Sequence, residues 1–213
     1  MMLQEKLFLG LKGMGLDLKS ETQSGLLNYV ALIQKWNKVY NLTAVREPEK
    51  MLIQHLLDSL VVLPHMTGRR VIDVGTGPGL PGIPLALANP LLDVTLLDSN
   101  HKKTSFLRQA CLELGLKNTT VVCERVEAWQ PEEKYDVVIS RAFSELSDFV
   151  DLALHLCDAK GAMFAMKGVY PHEELSRLSA DVTVQTVEPL QVWGLEAERH
   201  LVVLRPIKKE VKD

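Results

Sequence analysis

The stretch Val71-Ile72-Asp73-Val74-Gly75-Thr76-Gly77-Pro78-Gly79-Leu80-Pro81-Gly82 constrains this chain more than any other segment. A run of β-branched residues leads into four glycines and two prolines within eight positions. The first part predicts a strand, the prolines end it, and the apolar residues from Gly82 to Ala88 predict a helix. A chain that must turn so tightly between strand and helix needs glycine, which visits positive φ and lets a ligand approach without a Cβ in the way. Asp98 ends the next apolar run, Val94-Thr95-Leu96-Leu97, twenty-three residues after Gly75. A carboxylate there is placed to accept hydrogen bonds from both hydroxyls of a ribose. Loop and acid together point to an adenosine-containing cofactor.

Gly77-Pro78-Gly79-Leu80-Pro81-Gly82 also matches the dinucleotide pattern G-x-G-x-x-G, so the motif by itself leaves NAD open. Three features favour S-adenosylmethionine. Pro78 and Pro81 remove two N–H donors from a loop that would have to cradle a pyrophosphate. Asp73, two residues before Gly75, suits a cationic ammonium or sulfonium and would repel phosphate. The sequence after the fifth predicted strand ends in an antiparallel pair, unlike two matching mononucleotide-binding halves. Further on, Glu124-Arg125-Val126-Glu127 follows the third strand, where the Val126 backbone and the Glu127 carboxylate are placed to read an adenine edge. The same four residues would serve equally as an ordinary surface loop with solvated charges.

The rest of the chain falls into two patterns, with a boundary near Thr67 to Arg70. Residues 1–66 read as a helical N-terminal extension and 67–213 as the catalytic domain. Upstream, Leu3, Leu7 and Leu11 recur every four residues, and Leu26, Leu27, Val30, Ile33 and Trp36 follow a helical face. Ser20 and Gln23 resemble a capping box, Asn37 to Arg46 reads as loop, and a third helix runs from Pro48 to Val62. Downstream, strands are expected at Val71–Val74, Val94–Leu97, Thr120–Cys123, Val137–Ser140 and Ala162–Met166. Helices are expected at Gly82–Ala88, Lys102–Leu114, Val126–Trp129 and Glu145–Leu156, and another near Pro171–Leu178. That alternation predicts an α/β fold with a mostly parallel sheet covered on both faces. Val182–Val187 and Leu201–Leu204 read as the antiparallel pair.

Charge and composition narrow the function. The net charge of −3 speaks against a generic nucleic-acid binder, but it is unevenly spread. Residues 1–70 hold nine Lys or Arg and six Asp or Glu; the remainder holds fifteen and twenty-one. A basic segment on an acidic body suits a protein that grips a polyanion with one part and does chemistry with the other, although chance scatter would give the same count. Cys111, Cys123 and Cys157 form no disulfide framework or zinc spacing, which suggests a reducing compartment. The Leu7 to Leu11 run is too short for a signal peptide or membrane span, so a cytoplasmic protein is expected. The six histidines show neither i, i+4 pairing nor HExxH, and no metal is expected.

On the acceptor side, the fourth strand ends in Ser140-Arg141-Ala142-Phe143. No Asn-Pro-Pro-Tyr, Asp-Pro-Pro-Tyr or Pro-Cys run is present, which argues against exocyclic-amine and cytosine-C5 methylation. An acceptor with a free lone pair, such as guanine N7, needs alignment and electrostatic support but no base. Arg141 and Lys167 lie at strand carboxyl ends, where open α/β sheets bind ligands. His55 and Asp58, one turn apart, read as packing or capping residues, and Trp36, Trp129 and Trp193 as core.

The chain resembles the RsmG/GidB family of bacterial small-subunit ribosomal RNA guanine-N7 methyltransferases over most of its length. The resemblance is carried by Trp36-Asn37-Lys38-Val39-Tyr40-Asn41-Leu42-Thr43-Ala44, His55-Leu56-Leu57-Asp58-Ser59-Leu60, the glycine–proline run through Ile83-Pro84, and Leu97-Asp98-Ser99. Arg125-Val126-Glu127, Ser140-Arg141-Ala142 and Arg199-His200-Leu201 add to it. It implies a class I methyltransferase fold with a helical N-terminal extension, acting on 16S rRNA or the small subunit; a monomer is expected. It implies donor contacts at Gly75, Leu80, Val126, Glu127 and Arg141, beside the Asp73, Gly77, Gly79 and Asp98 read from the motif. Arg141, Arg125 and Lys167 are the expected catalytic-site residues. Lys35, Lys38, Asn41, Arg46, His55 and Arg199 are expected to contact RNA. Another acceptor, or an NAD-dependent oxidoreductase, is the alternative.

Overall fold

The computed structural model describes residues 2–141 and 143–207. Its strands are β1 (Arg70–Val74), β2 (Asp93–Leu97), β3 (Thr119–Val122), β4 (Tyr135–Ser140), β5 (Cys157–Lys167), β6 (Val182–Pro189) and β7 (His200–Pro206). They form one sheet in the order β3-β2-β1-β4-β5-β7-β6. β1 to β5 pair in parallel, whereas β7 runs antiparallel to both β5 and β6. The expected parallel sheet with an antiparallel C-terminal pair is therefore observed. Strand order reverses between β1 and β4, which opens a crevice at their carboxyl ends.

The helices are α1 (Leu3–Gly13), α2 (Ser20–Tyr40), α3 (Pro48–Met51), α4 (Asp58–Leu60), α5 (Gly82–Ala88), α6 (His101–Glu113), α7 (Leu146–Ala153) and α8 (His172–Ser176). Alternate side chains of β1 enter opposite cores. Val71 joins a cluster that includes Leu7, Leu26, Tyr29, Leu56, Leu85 and Phe106, while Ile72 and Val74 join Val138, Phe149 and Met163. The period of two thus explains why β1 is buried on both faces. The N-terminal helices share the first cluster with α5 and α6 and cover the same side of the sheet.

Four expectations require correction. Ser20 makes no capping box: Lys19 is the cap residue, and the Gln23 amide donates instead to the Leu18 carbonyl at 2.8 Å. α2 continues through Tyr40 because Asn37 is buried and clamps the following loop, accepting from Thr43 N–H at 3.0 Å and donating to Thr43 O at 2.9 Å. The Pro48–Val62 segment is helical but not uniform, since Leu52–Leu57 forms a π-helical turn between α3 and α4. No helix forms at Val126–Trp129; Arg125 O accepts from the N–H groups of both Ala128 and Trp129 in a turn. Among the described residues, no helix is long and apolar enough to cross a membrane. No group of three metal-ligating side chains occurs among them either.

Candidate active site

The glycine loop crosses the carboxyl end of β1 with Gly75, Gly77 and Gly79 all at positive φ. Every backbone donor in it is already used. Gly75 and Thr76 donate to Leu97 O, Gly77 to the Asp98 carboxylate, and Gly79 and Leu80 to Thr76 O. Gly82 donates to Asp73 and Ile83 to Gly79 O, while Pro78 and Pro81 have no N–H. A pyrophosphate would need several of these donors. A ligand without phosphate needs none.

Beneath the loop lies Asp73, with no solvent exposure. Its Oδ2 accepts from the Thr76 hydroxyl at 2.5 Å and from Gly82 N–H at 2.8 Å, and its Oδ1 has no hydrogen-bond partner among the described residues. Burial pushes its pKa up to about 6, against the lowering effect of those two bonds. Asp73 therefore ties the loop to the start of α5 and does not line the cleft beside it. Gly82 makes this possible, because a Cβ there would collide with Leu96 Cδ2 and come within 2.9 Å of Asp73 Oδ2. Gly79 and Leu80 also face inward, Leu80 being 2% exposed.

The cleft beside the loop has a volume of about 350 Å3, within the usual range for small-molecule sites. Gly75, Asp98, Lys103, Val126, Glu127 and Phe143 are among its lining residues. Asp98 is held by Gly77 N–H on one oxygen and Asn100 N–H on the other, both at 2.9 Å. Lys103 Nζ stands 3.6 Å away. Glu127 reaches the cleft wall but is engaged by Arg125, whose Nε donates at 2.6 Å. That exposed pair lowers the Glu127 pKa through the hydrogen bond. A carboxylate at the ribose position, a second one opposite and an apolar floor fit an adenosine.

A second cavity, about 370 Å3, lies across the end of β4 and is lined by His55, Asp58, Arg141, Lys167, Arg199 and Gly168 among others. Asp58 is its pivot. Its Oδ2 accepts from Arg141 Nη1 at 3.1 Å and its Oδ1 from Arg199 Nε at 2.7 Å, with the carboxylate nearly buried. The Gln54 carbonyl also accepts from Arg141 Nη1, at 3.1 Å. Gln54 and His55 belong to the π-helical turn, and Asp58 follows it directly. Burial lowers the pKa of His55, whose Nε2 lies 3.0 Å from Thr43 Oγ1 and whose Nδ1 has no hydrogen-bond partner among the described residues. Lys167 Nζ pairs with Glu174 at 2.7 Å and donates to Ser144 O at 2.6 Å, pinning the segment after β4.

The sequence-derived residues thus separate into three places. Gly75, Asp98, Arg125, Val126 and Glu127 surround the first cleft, with Gly77 bonded to Asp98. Arg141, His55, Lys167 and Arg199 surround the second cavity. Lys35 and Lys38 are exposed on α2, while Arg46 donates to Asn37 O and to Asn41 Oδ1 and so braces the end of that helix. Ala142, which follows the end of the fourth strand on the acceptor side, lies outside the described residues. Sequence reasoning missed two residues. Asp58 stood out only in its spacing from His55 and within the family-like His55–Leu60 segment, and neither showed its hold on two arginines. Tyr29 gave none: fully buried, it donates its hydroxyl to Pro78 O at 2.6 Å and ties α2 to the glycine loop.

The chain is similar to known proteins over most of its length. A family model described as GidB, rRNA small subunit methyltransferase G, matches residues 22–202. The chain is 57% identical over 204 residues to the ribosomal RNA small subunit methyltransferase G of Laribacter hongkongensis, covering 96% of this chain and 99% of that protein. Identity is 54% with the same-named protein of Neisseria meningitidis serogroup B, over 94% and 97% of the two chains. Its fold is similar to that of an S-adenosylmethionine-dependent methyltransferase from Aquifex aeolicus, with a TM-score of 0.59 at 18% identity over 80% of this chain and 96% of that one. A class I methyltransferase sheet, a donor-saturated glycine loop and near full-length identity converge, and the chain belongs to the rRNA small subunit methyltransferase G family.

Proposed function

We propose that the protein transfers the methyl group of S-adenosylmethionine to N7 of a guanosine in the 16S rRNA of the small ribosomal subunit. The observation that carries the choice of donor is the glycine loop, in which no N–H from Gly75 to Ile83 is left for a phosphate. A nicotinamide dinucleotide would have to break that network; a sulfonium nucleoside would not. Asp98 would hold the ribose hydroxyls, and Val126 and Glu127 the adenine. The donor supplies a methyl on a positively charged sulfur.

The remaining work falls to this chain. Guanine N7 carries a free lone pair, so no proton is removed, and the new N–C bond forms as the S–C bond breaks. Arg141 and Phe143, two residues apart at the exit of β4, line the second cavity and the first cleft respectively. A base entering there meets the donor at the strand ends. Asp58 holds Arg141 and Arg199 in fixed positions, where they engage the nucleotide's phosphate or base edge. Residues 1–66 would grip the rRNA backbone through exposed lysines such as Lys35 and Lys38, with 67–213 carrying the chemistry in the cytoplasm. The test is methyl transfer to small-subunit particles from cells lacking the enzyme. A 7-methylguanosine in the rRNA is expected; transfer only to protein or a small molecule would overturn the reading.

A further inference from the structure

A group of aromatic rings follows Lys167 and Gly168, which line the second cavity, and has no part in the scheme above. β5 ends at Lys167 opposite His200, the first residue of β7. The chain then leaves the sheet through Gly168, Val169 and Tyr170. His200 Nδ1 lies 2.8 Å from Gly168 O. Since a carbonyl oxygen only accepts, that nitrogen carries the proton and fixes the ring. The Tyr170 ring centroid is 4.3 Å from that of His172 at an interplanar angle of 39°, and 5.5 Å from His200 edge-on at 83°. Tyr170 is nevertheless 40% exposed, next to Val169 at 74%. Its hydroxyl has no hydrogen-bond partner among the described residues.

This is not how a core ring is kept. Two histidines pack against the tyrosine ring, while the residue as a whole stays exposed to solvent. Cations are near it along the chain: Arg199 precedes His200, and Arg199, Arg141 and Lys167 line the cavity bordered by Gly168, two residues before Tyr170. A braced, partly exposed aromatic residue close along the chain to a cavity with two guanidinium groups is a combination that suits single-stranded nucleic acid, with bases stacked on aromatic rings and phosphates held by cations.

We propose that Tyr170, braced by His172 and His200, is a stacking platform for an unpaired rRNA base adjoining the methylated guanosine. This deepens the rRNA reading and rests on it. Stacking on the platform contributes to holding the RNA and not to the transfer step, so it acts on substrate affinity.

The test compares Tyr170→Leu, Tyr170→Phe and Tyr170→Trp with the parent protein. Methyl transfer is measured on small-subunit particles, and binding by fluorescence anisotropy of a labelled oligoadenylate. Tyr170→Leu should raise KM for the particles and Kd for the oligonucleotide roughly tenfold, with Phe and Trp restoring both. kcat and donor affinity should not move. The slope of log Kd against log salt should also be unchanged, because no charge is lost. A leucine variant that binds and methylates like the parent overturns the platform, as does a phenylalanine variant as weak as leucine. If the parent fails to methylate rRNA, the functional reading falls by itself, and the oligonucleotide series still decides whether Tyr170 stacks bases.

Discussion

Asp73 sits wholly buried beneath the glycine loop, with burial lifting its pKa to about 6 from an ordinary 3.8. A raised acid pKa means that the folded state holds its proton more tightly than the unfolded chain. The stability associated with protonated Asp73 is therefore complete below about pH 4 and is lost as pH rises through 6. At about 1.36 kcal/mol for each pH unit separating the two values, the loss amounts to roughly 3 kcal/mol. An Asp73→Asn variant cannot ionise. Its amide incurs some fixed cost in finding partners near Thr76 and Gly82, but that cost does not vary with pH. The informative quantity is the stability gap between parent and variant, measured by urea unfolding at intervals from pH 4 to pH 8. Other carboxylates titrate in both proteins and cancel. The gap should move by about 3 kcal/mol in favour of the variant as pH rises, equivalent to about 1 M in urea midpoint for a slope of 2–3 kcal/mol per molar. A gap that stays constant, or moves the other way, would refute the buried, unbalanced carboxylate.

Gly82→Ala should destabilise the fold by about 1–3 kcal/mol, because its Cβ meets Leu96 and the Asp73 carboxylate, neither of which can retreat from the packed strands; thermal unfolding reads this directly. Tyr29→Phe removes the bond to Pro78 O and should cost about 1 kcal/mol of stability. Calorimetric titration with S-adenosylhomocysteine should show weaker binding as well, since the loop loses its brace from α2. Asp58→Asn should leave donor affinity intact but slow methyl transfer at least tenfold, because one amide oxygen cannot hold both Arg141 and Arg199; equal rates would remove Asp58 from the site. Neutralising Lys35 and Lys38 together should flatten the salt dependence of RNA binding by about 1–2 in the log–log slope.

Much of this protein can be read along the chain because the relevant physics is local. Alternating strand and helix periods predicted the five parallel strands and the final antiparallel pair, and α5 is observed at Gly82–Ala88, the expected bounds. Strand boundaries differed by a few residues, most at β5, whose first five residues, Cys157 to Gly161, include exposed Ala159 and Lys160 and form no continuous apolar run. The loop between Val126 and Trp129 was misread because four suitable residues do not make a helix without further turns to propagate it. The glycine–proline run and Asp98 announced the cofactor cleft, since a tight turn and a strand-end acid leave their mark in consecutive residues.

The second cavity was legible only in fragments. Arg141 and Lys167 could be placed at strand ends, but their companions come from a π-helical turn near residue 55 and a loop near residue 199. Asp58 joins Arg199 across 141 positions of sequence, and no periodicity connects residues so far apart. Tyr29 was invisible for the same reason: on a helix face a buried tyrosine looks like any other core residue until its hydroxyl is seen to meet Pro78. Sequence alone determined the sheet and the turn chemistry and pointed to an adenosine-containing cofactor, all set by neighbours within a few residues. The pairing of the two arginines, the brace on the glycine loop and the aromatic platform at Tyr170 were decided by tertiary structure, because each exists only where separate elements pack together.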